Sequence, residues 1–236
     1  MGTEVNIHAA QASILRELLF RQQAGYAELQ KPTGLTSDHF NFHIARLLDL
    51  GLVEKVTRGA YRLSTTGKEY ANRIDTSNNT IERQPKCTVI PAIERIRNGR
   101  KEYIFQERLK NPWYGFWSLP SGKIRWGESV VEAAAREALE ETGLRAVFEA
   151  AGVYHERVYE AESKELLEDK IFFVVRGTHA EGSFTADFEG GHNEWLTPTE
   201  ATGKGKIFDS LASELEILAG RQWLIERVTH YNEADF

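Results

Sequence analysis

The chain has 236 residues, of which 41% are hydrophobic and 27% charged, as is ordinary for a globular protein with one large or two small domains. Its single cysteine, Cys87, excludes a disulfide framework and a cysteine-based zinc site, and it favours a reducing, cytoplasmic setting. The N-terminus lacks the basic start and apolar run of a secretory signal. No apolar run approaches the ~18 residues that a membrane span requires, so we expect no membrane partner.

The charge is unevenly distributed along the chain. Residues 1–75 hold nine of the 29 Lys and Arg and eight of the 35 Asp and Glu, a net charge of +1. The remainder therefore has 20 basic and 27 acidic residues, a net charge of −7. An acidic domain repels nucleic acid and free nucleotides unless metal ions neutralise its site.

Residues 1–75 begin with a pattern of short helices. Apolar residues at helical spacing predict a first helix over 9–21, and a second one follows around Tyr26–Gln30. Thr36 and Ser37 are candidate N-caps for a third helix, SDHFNFHIARLLDLG, whose apolar positions face a core.

Two short strands, LVEKV and AYRLS, are predicted next, with a turn at Arg58-Gly59 and a further helix after them. Three helices and a β-hairpin in this order resemble a winged helix-turn-helix domain, in which the third helix enters the DNA major groove. The resemblance implies contacts with double-stranded DNA from the third helix and the hairpin: His39, Asn41, Arg46 and Arg58.

The small net charge of residues 1–75 leaves a second interpretation open. Domains that bind the phosphate backbone are usually more basic, because counterion release supplies much of their affinity. This domain is therefore interpreted either as a DNA-binding module or as a module for docking or for dimerisation, as in a homodimer.

The polar, aperiodic segment TSNNTIERQPKC, residues 76–87, predicts a linker. Largely apolar strands follow it: TVIPAIERI, EYIFQER, GFWSLPSG, LRAVFEAAGVYHERV, DKIFFVVRGT and EWLTP. One helix is predicted over Ser129–Thr142, and the apolar positions of a last helix run from Leu211 to Leu224. We expect residues 88–236 to form an α/β/α sandwich with a mixed sheet.

The segment GKIRWGESVVEAAAREALEETGL, residues 122–144, crowds carboxylates onto one helix. Glu137 and Glu141 are one turn apart and Glu140 lies beside them, so three carboxylates share one patch of the helix surface. Like charges at this spacing repel one another. A hard cation such as Mg²⁺ prefers oxygen ligands, and it would relieve the repulsion and also hold substrate phosphates.

The spacing within residues 122–144 resembles the Nudix box, G-x5-E-x7-R-E-U-x-E-E-x-G-U. Gly122, Glu128 and the run from Arg136 to Leu144 fill its glycine and charged positions, and Ala138 stands where a larger aliphatic residue is usual. The second domain is therefore identified as a member of the Nudix hydrolase superfamily, whose members hydrolyse a diphosphate linked to another group, typically a nucleoside.

This resemblance implies a role for each charged residue of the box. The implied ligands of Mg²⁺, with Mn²⁺ as the alternative ion, are three carboxylates and one backbone carbonyl: Glu137, Glu140, Glu141 and either Gly122 or Ser121. Arg136 would orient the carboxylates by ion pairing, with Glu128 as a further partner. The proton of the attacking water would go to a carboxylate, for which Glu141 and Glu194 are the main candidates and Glu189 a weaker one.

The group beyond the diphosphate is not specified by the sequence, so oxidised nucleoside triphosphates, dinucleotides, ADP-ribose and nucleotide sugars all stay open. Several aromatic residues could stack on a base: Trp113, Tyr114, Phe116, Trp117, Trp126 and Trp195. One hypothesis is a Mg²⁺-dependent pyrophosphohydrolase with a winged-helix domain. The other is a nucleotide-sensing transcriptional regulator, but the complete box favours hydrolysis because a pure sensor does not need three glutamates.

Overall fold

The structure is a computed structural model that describes residues 7–57, 59–75, 80–81 and 83–232. The chain divides into two compact units, Met1–Arg83 and Gln84–Phe236. Arg58 and residues 76–79 and 82 of the expected linker lie outside the described residues. Within the described ranges, every helix is too short or too polar to cross a lipid bilayer.

The first unit combines short helices with a small sheet. In chain order, its described elements are α1 Ala9–Leu19, β1 Ala24–Gly25, α2 Tyr26–Gln30, a 3₁₀ helix Lys31–Thr33, α3 Ser37–Asp49, β2 Val53–Thr57, β3 Ala60–Leu63, α4 Thr65–Ala71, β4 Ile74–Asp75 and β5 Thr80–Ile81. Strands β1, β3 and β2 form an antiparallel sheet in that order, and β4 pairs with β5. The predicted helices and hairpin are confirmed, while the two-residue strand β1 is too short to leave a sequence pattern.

The core of the first unit comes from one face of each helix. Ile14 and Leu18 of α1 are fully buried together with Phe40 and Leu47 of α3. On α3 the buried residues Phe40, Ile44 and Leu47 are three or four positions apart, so they lie on one face of the helix. The opposite face of α3 is exposed to solvent.

The second unit is built around a long, mixed sheet. In chain order, its described elements are β6 Lys86–Arg97, β7 Arg100–Arg108, β8 Phe116–Ser118, β9 Gly122–Lys123, α5 Val130–Thr142, β10 Leu144–Glu160, β11 Leu166–Gly182, β12 Asp187–Phe188, β13 Gly191–Leu196, α6 Pro198–Thr202, β14 Lys206–Ile207, α7 Leu211–Leu218 and β15 Leu224–Tyr231. The main strand order is β12-β13-β7-β6-β11-β10-β15. Within it, β6–β11 and β10–β15 are parallel pairs and the others are antiparallel.

Helices α5 and α7 cover opposite faces of this sheet. On β11, Val174 packs into the cluster that contains Leu211 and Leu218 of α7. The next residue, Val175, packs against Ala133 and Ala134 of α5. Because successive side chains of a strand point to opposite faces, the two helices sandwich the sheet, which confirms the expected α/β/α arrangement.

Strands β6 and β7 separate partway along their length. They pair only from Arg97↔Arg100 to Glu94↔Tyr103. Beyond that point β6 pairs with β11 and with β9, at Val89↔Gly122, while β7 pairs with β8, at Gln106↔Ser118. The separation opens a gap in the sheet, and the loop before α5 lies beside it.

The last helix is shorter than its apolar pattern predicts. Helix α7 ends at Leu218, and Gly220 follows in the left-handed region with φ +70°, which is a common helix stop. The sequence pattern placed Leu224 on the last helix, and this prediction is wrong. Leu224 is the first residue of β15, which runs parallel to β10 from the pair Val153↔Leu224.

Helix α5 has a strong start signal and a strong stop signal. The Ser129 hydroxyl accepts a hydrogen bond from the Glu132 N–H, and the Glu132 carboxylate accepts one from the Ser129 N–H, which forms a capping box. Gly143 closes the helix in the left-handed region. Ala133, Ala134 and Ala138 are fully buried, so the helix lies close to the sheet.

We expect Ala134→Leu to lower the free energy of unfolding of the second unit by about 1–3 kcal/mol, because added methylene groups overpack a filled core. Ala135→Leu is the matched control, since Ala135 is exposed on the same helix. Denaturant unfolding of the three proteins measures the difference. Equal stability of the two variants would contradict the packing of α5.

Candidate active site

The second unit contains a cavity of about 970 Å³ at the place where β6 and β7 separate. Gly122, Glu137 and Glu141 from the glutamate-rich segment line it. Its wall also carries lysine and arginine side chains: Lys86, Arg108, Lys110, Lys123, Arg125 and Lys170. The cavity thus combines carboxylates with cations, although the protein as a whole is acidic.

Gly122 allows a carboxylate to lie against the backbone of β9. A Cβ atom at this position would stand 1.9 Å from Cδ of Glu137 and 2.2–2.3 Å from its two oxygens. Such contacts are impossible, so any larger residue would push the Glu137 carboxylate away. Glycine here therefore brings the carboxylate and the loop backbone together at the cavity wall.

Arg136 links the loop before α5 to the helix. Its guanidinium donates to both oxygens of Glu128, at 2.5 and 2.8 Å, and to Glu137 Oε1 at 2.6 Å. It also donates to the Lys123 carbonyl at 2.9 Å and to Glu140 at 3.1 Å. The hydrogen bond from Arg136 is the main reason that the pKa of Glu128 falls to about 2. Arg136 thus forms ion pairs with three glutamates of residues 122–144, and its orienting role stays a prediction.

Two amide side chains hold Glu141 at the cavity wall. Gln106 Nε2 donates to its Oε2 at 3.0 Å, and Asn193 Nδ2 donates to its backbone carbonyl at 2.8 Å. Burial raises the pKa of Glu141, and the nearby charge of Glu137 raises it further.

Glu140 is turned away from this pair of carboxylates. Its two oxygens accept from Arg125 at 3.2 and 3.3 Å, and Arg136 also contacts it. Within residues 7–57, 59–75, 80–81 and 83–232, no three His, Cys, Asp or Glu side chains form a cluster that could hold a metal ion as they stand. The structure brings two of the three expected carboxylate ligands, Glu137 and Glu141, to one cavity.

The donor set nevertheless fits a hard divalent cation. Glu137 and Glu141 face one cavity beside the backbone of Gly122, and all of their donor atoms are oxygens. The mutual repulsion that raises the pKa of Glu141 is what a bound cation removes. Glu140 could join them through a change of rotamer, because its side chain is 47% exposed.

Glu194, the second candidate for the general base, does not reach this cluster. Lys204 Nζ donates to Oε1 of Glu194 at 2.7 Å and to Oε2 at 2.8 Å. Among the described residues that line the cavity, Glu194 is not included. The neighbouring Asn193 contacts Gln106 and Glu141 instead. Since adjacent side chains of β13 point to opposite faces, Glu194 must face away from Glu141.

Of the six candidate stacking residues, Trp113 lines the cavity. Trp126 is 96% exposed and Tyr114 60% exposed. Phe116 and Trp117 are buried in separate apolar clusters, and the Arg95 guanidinium lies 4.0 Å from the ring centre of Trp195.

Three buried glutamates in the cavity wall, Glu156, Glu168 and Glu214, were missed by the sequence interpretation, although a signal was present for two of them. Tyr154, Glu156 and Val158 are two residues apart on β10, so Glu156 lies on the same buried face as its two neighbours. Glu214 lies three residues after Leu211, on the apolar face of α7. A carboxylate at a core-facing position of a strand or helix is unusual, and here it marks a cavity.

The residues proposed to contact DNA lie on the exposed face of α3. His39, Asn41 and Arg46 are exposed, and the Tyr26 hydroxyl donates to Asn41 Oδ1 at 2.9 Å. Arg58 is outside the described residues.

Comparison with known proteins assigns the family. The sequence model of the NUDIX domain matches residues 90–214, more than half of the chain, so the chain belongs to the Nudix family. It is 30% identical over 92 residues to 8-oxo-dGDP phosphatase NUDT18 of Danio rerio, covering 39% of this chain and 26% of that protein. It is 32% identical over 84 residues to ADP-ribose pyrophosphatase of Methanocaldococcus jannaschii, covering 36% and 50%. The prediction of a Nudix hydrolase domain is confirmed at the level of the family.

The fold comparison agrees with this assignment. The Nudix domain of Shewanella oneidensis NrtR, solved in complex with ADP ribose, superposes with a TM-score of 0.51 at 15% identity, over 67% of this chain and 99% of that one. The match covers no more than half the length of the two curated relatives.

Glu214 generates a testable pH dependence of stability. Burial raises its pKa from 4.5 to about 7, a hydrogen bond from Ser210 opposes the rise, and the charge of Glu156 adds to it. Between these values the folded protein keeps a proton that the unfolded chain has lost. Folding stability therefore falls as the pH rises from about 4.5 to about 7.

Glu214→Gln removes this titration, so its melting temperature relative to wild type should be higher at pH 8 than at pH 5. Thermal unfolding at both values measures it, with Glu216→Gln on the same helix as the control. A relative melting temperature that is equal at the two pH values would contradict the assignment.

Proposed function

We propose that the protein is a Mg²⁺-dependent Nudix pyrophosphohydrolase that cleaves the diphosphate of a nucleoside diphosphate-linked substrate. The observation that carries the proposal is the meeting of Glu137 and Glu141 beside Gly122 in a cavity that also carries lysines and arginines. Cationic side chains attract the phosphates, and the carboxylates provide the negative site that a cation requires.

The ion would be held by Glu137 and Glu141, by Glu140 after it leaves Arg125, and by the backbone carbonyl of Gly122 or Ser121. When bound, Mg²⁺ neutralises phosphate charge and activates water for attack on phosphorus, and Mn²⁺ could replace it. Arg136 keeps Glu137 oriented through its 2.6 Å ion pair. Lys110 and Arg108, whose charges act on Glu141, would meet the phosphate oxygens.

Glu141 is proposed as the acceptor of the water proton. It faces the cavity and is fixed by Gln106, whereas Glu194 is paired with Lys204 on the other side of β13. A positioned base of this kind contributes about 10²–10⁴-fold to a rate.

With Mg²⁺, the protein should release phosphate or nucleoside monophosphate from a member of a panel of nucleoside diphosphate derivatives, including 8-oxo-dGDP and ADP-ribose, the substrates in the names of two relatives. Glu141→Gln should lower kcat by about 10²–10⁴-fold. Glu194→Gln should cost far less, and chelation of the metal should stop turnover.

Steady-state phosphate release and chromatography of the products measure these effects. If wild type turns over nothing on the panel, the proposed function is wrong. If Glu194→Gln rather than Glu141→Gln stops hydrolysis, only the assignment of the base is wrong.

For the first unit, we propose a winged helix that binds double-stranded DNA. The sheet order β1-β3-β2 behind α3 and the exposure of His39, Asn41 and Arg46 favour this function. A regulator in which the Nudix domain senses a nucleotide is then the alternative to a pure hydrolase. The exposed, unpaired Cys87 agrees with the cytoplasmic setting that we propose.

Arg46→Ala should weaken DNA binding at low salt and reduce the salt dependence of log K by about one unit of slope, because it removes a cation from the face proposed to contact DNA. Lys68→Ala, on α4 of the same unit, makes the same change of charge and is the control. Fluorescence anisotropy with random-sequence duplexes at several salt concentrations measures both. Failure of wild type to bind DNA at low salt would favour docking or dimerisation instead.

A further inference from the structure

The cavity contains a second group of carboxyls, distinct from those of the Nudix box. Glu156 of β10 and Glu214 of α7 are 6% and 3% exposed, and both line the cavity wall. Their charges act on each other and on Tyr154 and Tyr231. We call this part of the wall, formed by Glu156, Glu214 and Tyr231, the inner end.

An oxygen of Glu214 has no hydrogen-bond partner. The Ser210 hydroxyl bonds to the Glu214 carboxyl, but Oε2 is buried and unpaired within the part of the chain that the structure describes. A buried acceptor without a donor destabilises the folded protein, so such atoms are rare unless a ligand supplies the missing hydrogen bond.

The other buried carboxylates of the cavity have donors of their own. Glu156 Oε1 accepts from the Tyr154 hydroxyl and from Thr229 Oγ1, both at 3.2 Å. Glu168 pairs with Lys170 and with Lys86, and it also accepts from Trp113 Nε1 at 3.2 Å. Among the buried carboxyls of the described cavity wall, Glu214 is thus the one with an oxygen that lacks a hydrogen-bond partner.

Aromatic rings surround this end of the cavity. Trp113 and Tyr231 are 4.7 Å apart between ring centres, and Trp113 and Phe208 are 5.6 Å apart. All three residues line the cavity. Aromatic rings can pack against a planar heterocycle, and the unpaired oxygen of Glu214 can accept a hydrogen bond from an N–H group of such a ring.

We propose that the inner end binds the base of the nucleotide substrate and that Glu214, supported by Glu156, selects a guanine-type base through its N–H donors. This inference rests on the proposed function, because it places the base in the cavity whose box carboxylates would receive the diphosphate. A volume of about 970 Å³ lies at the upper limit of typical small-molecule sites, so both parts of a nucleotide can be accommodated.

The preference for guanine follows from the count of donors. The pairing edge of guanine presents two adjacent donors, N1–H and the 2-amino group, whereas adenine, cytosine and uracil each present one donor group there. Both oxygens of a carboxyl group are acceptors only when the group is ionised. Because burial raises the pKa of Glu214 to about 7 and raises that of Glu156 as well, Glu214 can accept the two donors of guanine only above about pH 7. A site built to pair with a polar edge rejects a base that lacks it, because the buried groups are left unsatisfied.

The test measures equilibrium binding by calorimetry and does not depend on turnover. Guanosine, inosine and adenosine 5′-monophosphates and ribose 5-phosphate are titrated at pH 8, above the pKa of about 7 of Glu214, into wild type, Glu214→Gln and Glu216→Gln. Wild type should bind the guanosine compound at least about tenfold more tightly than the inosine compound, which lacks the 2-amino group. Glu214→Gln should bind these two equally and leave binding of ribose 5-phosphate unchanged, and Glu216→Gln should behave as wild type.

Equal binding of all three nucleotides by wild type would overturn the inference, as would an equal loss for every ligand in Glu214→Gln. The comparison of guanosine with inosine needs no variant, so it stays decisive even if Glu214→Gln fails to fold. Absence of hydrolysis on the substrate panel, with guanosine selectivity retained, would overturn the proposed function and support the base site.

Discussion

The separation of β6 and β7 is the constraint on which the site depends. The two strands share only four residue pairs before each takes other partners, and the cavity lies in the gap that results. Strand β9 joins β6 on one side and β8 joins β7 on the other. The backbone of Gly122 and the carboxylates of α5 therefore meet where the sheet is open, and ligands can approach polar groups that a continuous sheet would cover.

At this opening of the sheet, Arg136 neutralises part of the negative charge of the glutamates in residues 122–144. One guanidinium donates to Glu128, Glu137 and Glu140, whereas among the described residues the side chain that donates to the Glu141 carboxylate is the neutral Gln106. The box thus keeps more negative charge than its own arginine neutralises. That surplus of negative charge is the physical reason why a cation would be favoured beside Glu137 and Glu141.

Much of the second unit could be predicted because its signals are local. The capping residues of α5, its stripe of alanines and the spacing of the box are all contained in residues 122–144. The direction in which Glu194 points could not be predicted, because it depends on the register of β13 against β7, which is a contact between distant segments. Strand β15 was missed for a related reason: its leucine continues the apolar spacing of α7, and only the turn at Gly220 separates the two elements. Glu156 and Glu214 were visible as breaks in apolar patterns, yet only the fold brings them into one cavity.

The two groups of carboxyls in the cavity come from different parts of the chain. The box is one continuous stretch, whereas Glu156, Glu214 and Tyr231 come from three elements that are widely separated in sequence. Substitutions near the last helix and strand can therefore remodel one end of the cavity while the other end keeps every one of its contacts. Such a layout would let the lining of the inner end change while the segment of residues 122–144 keeps its own geometry.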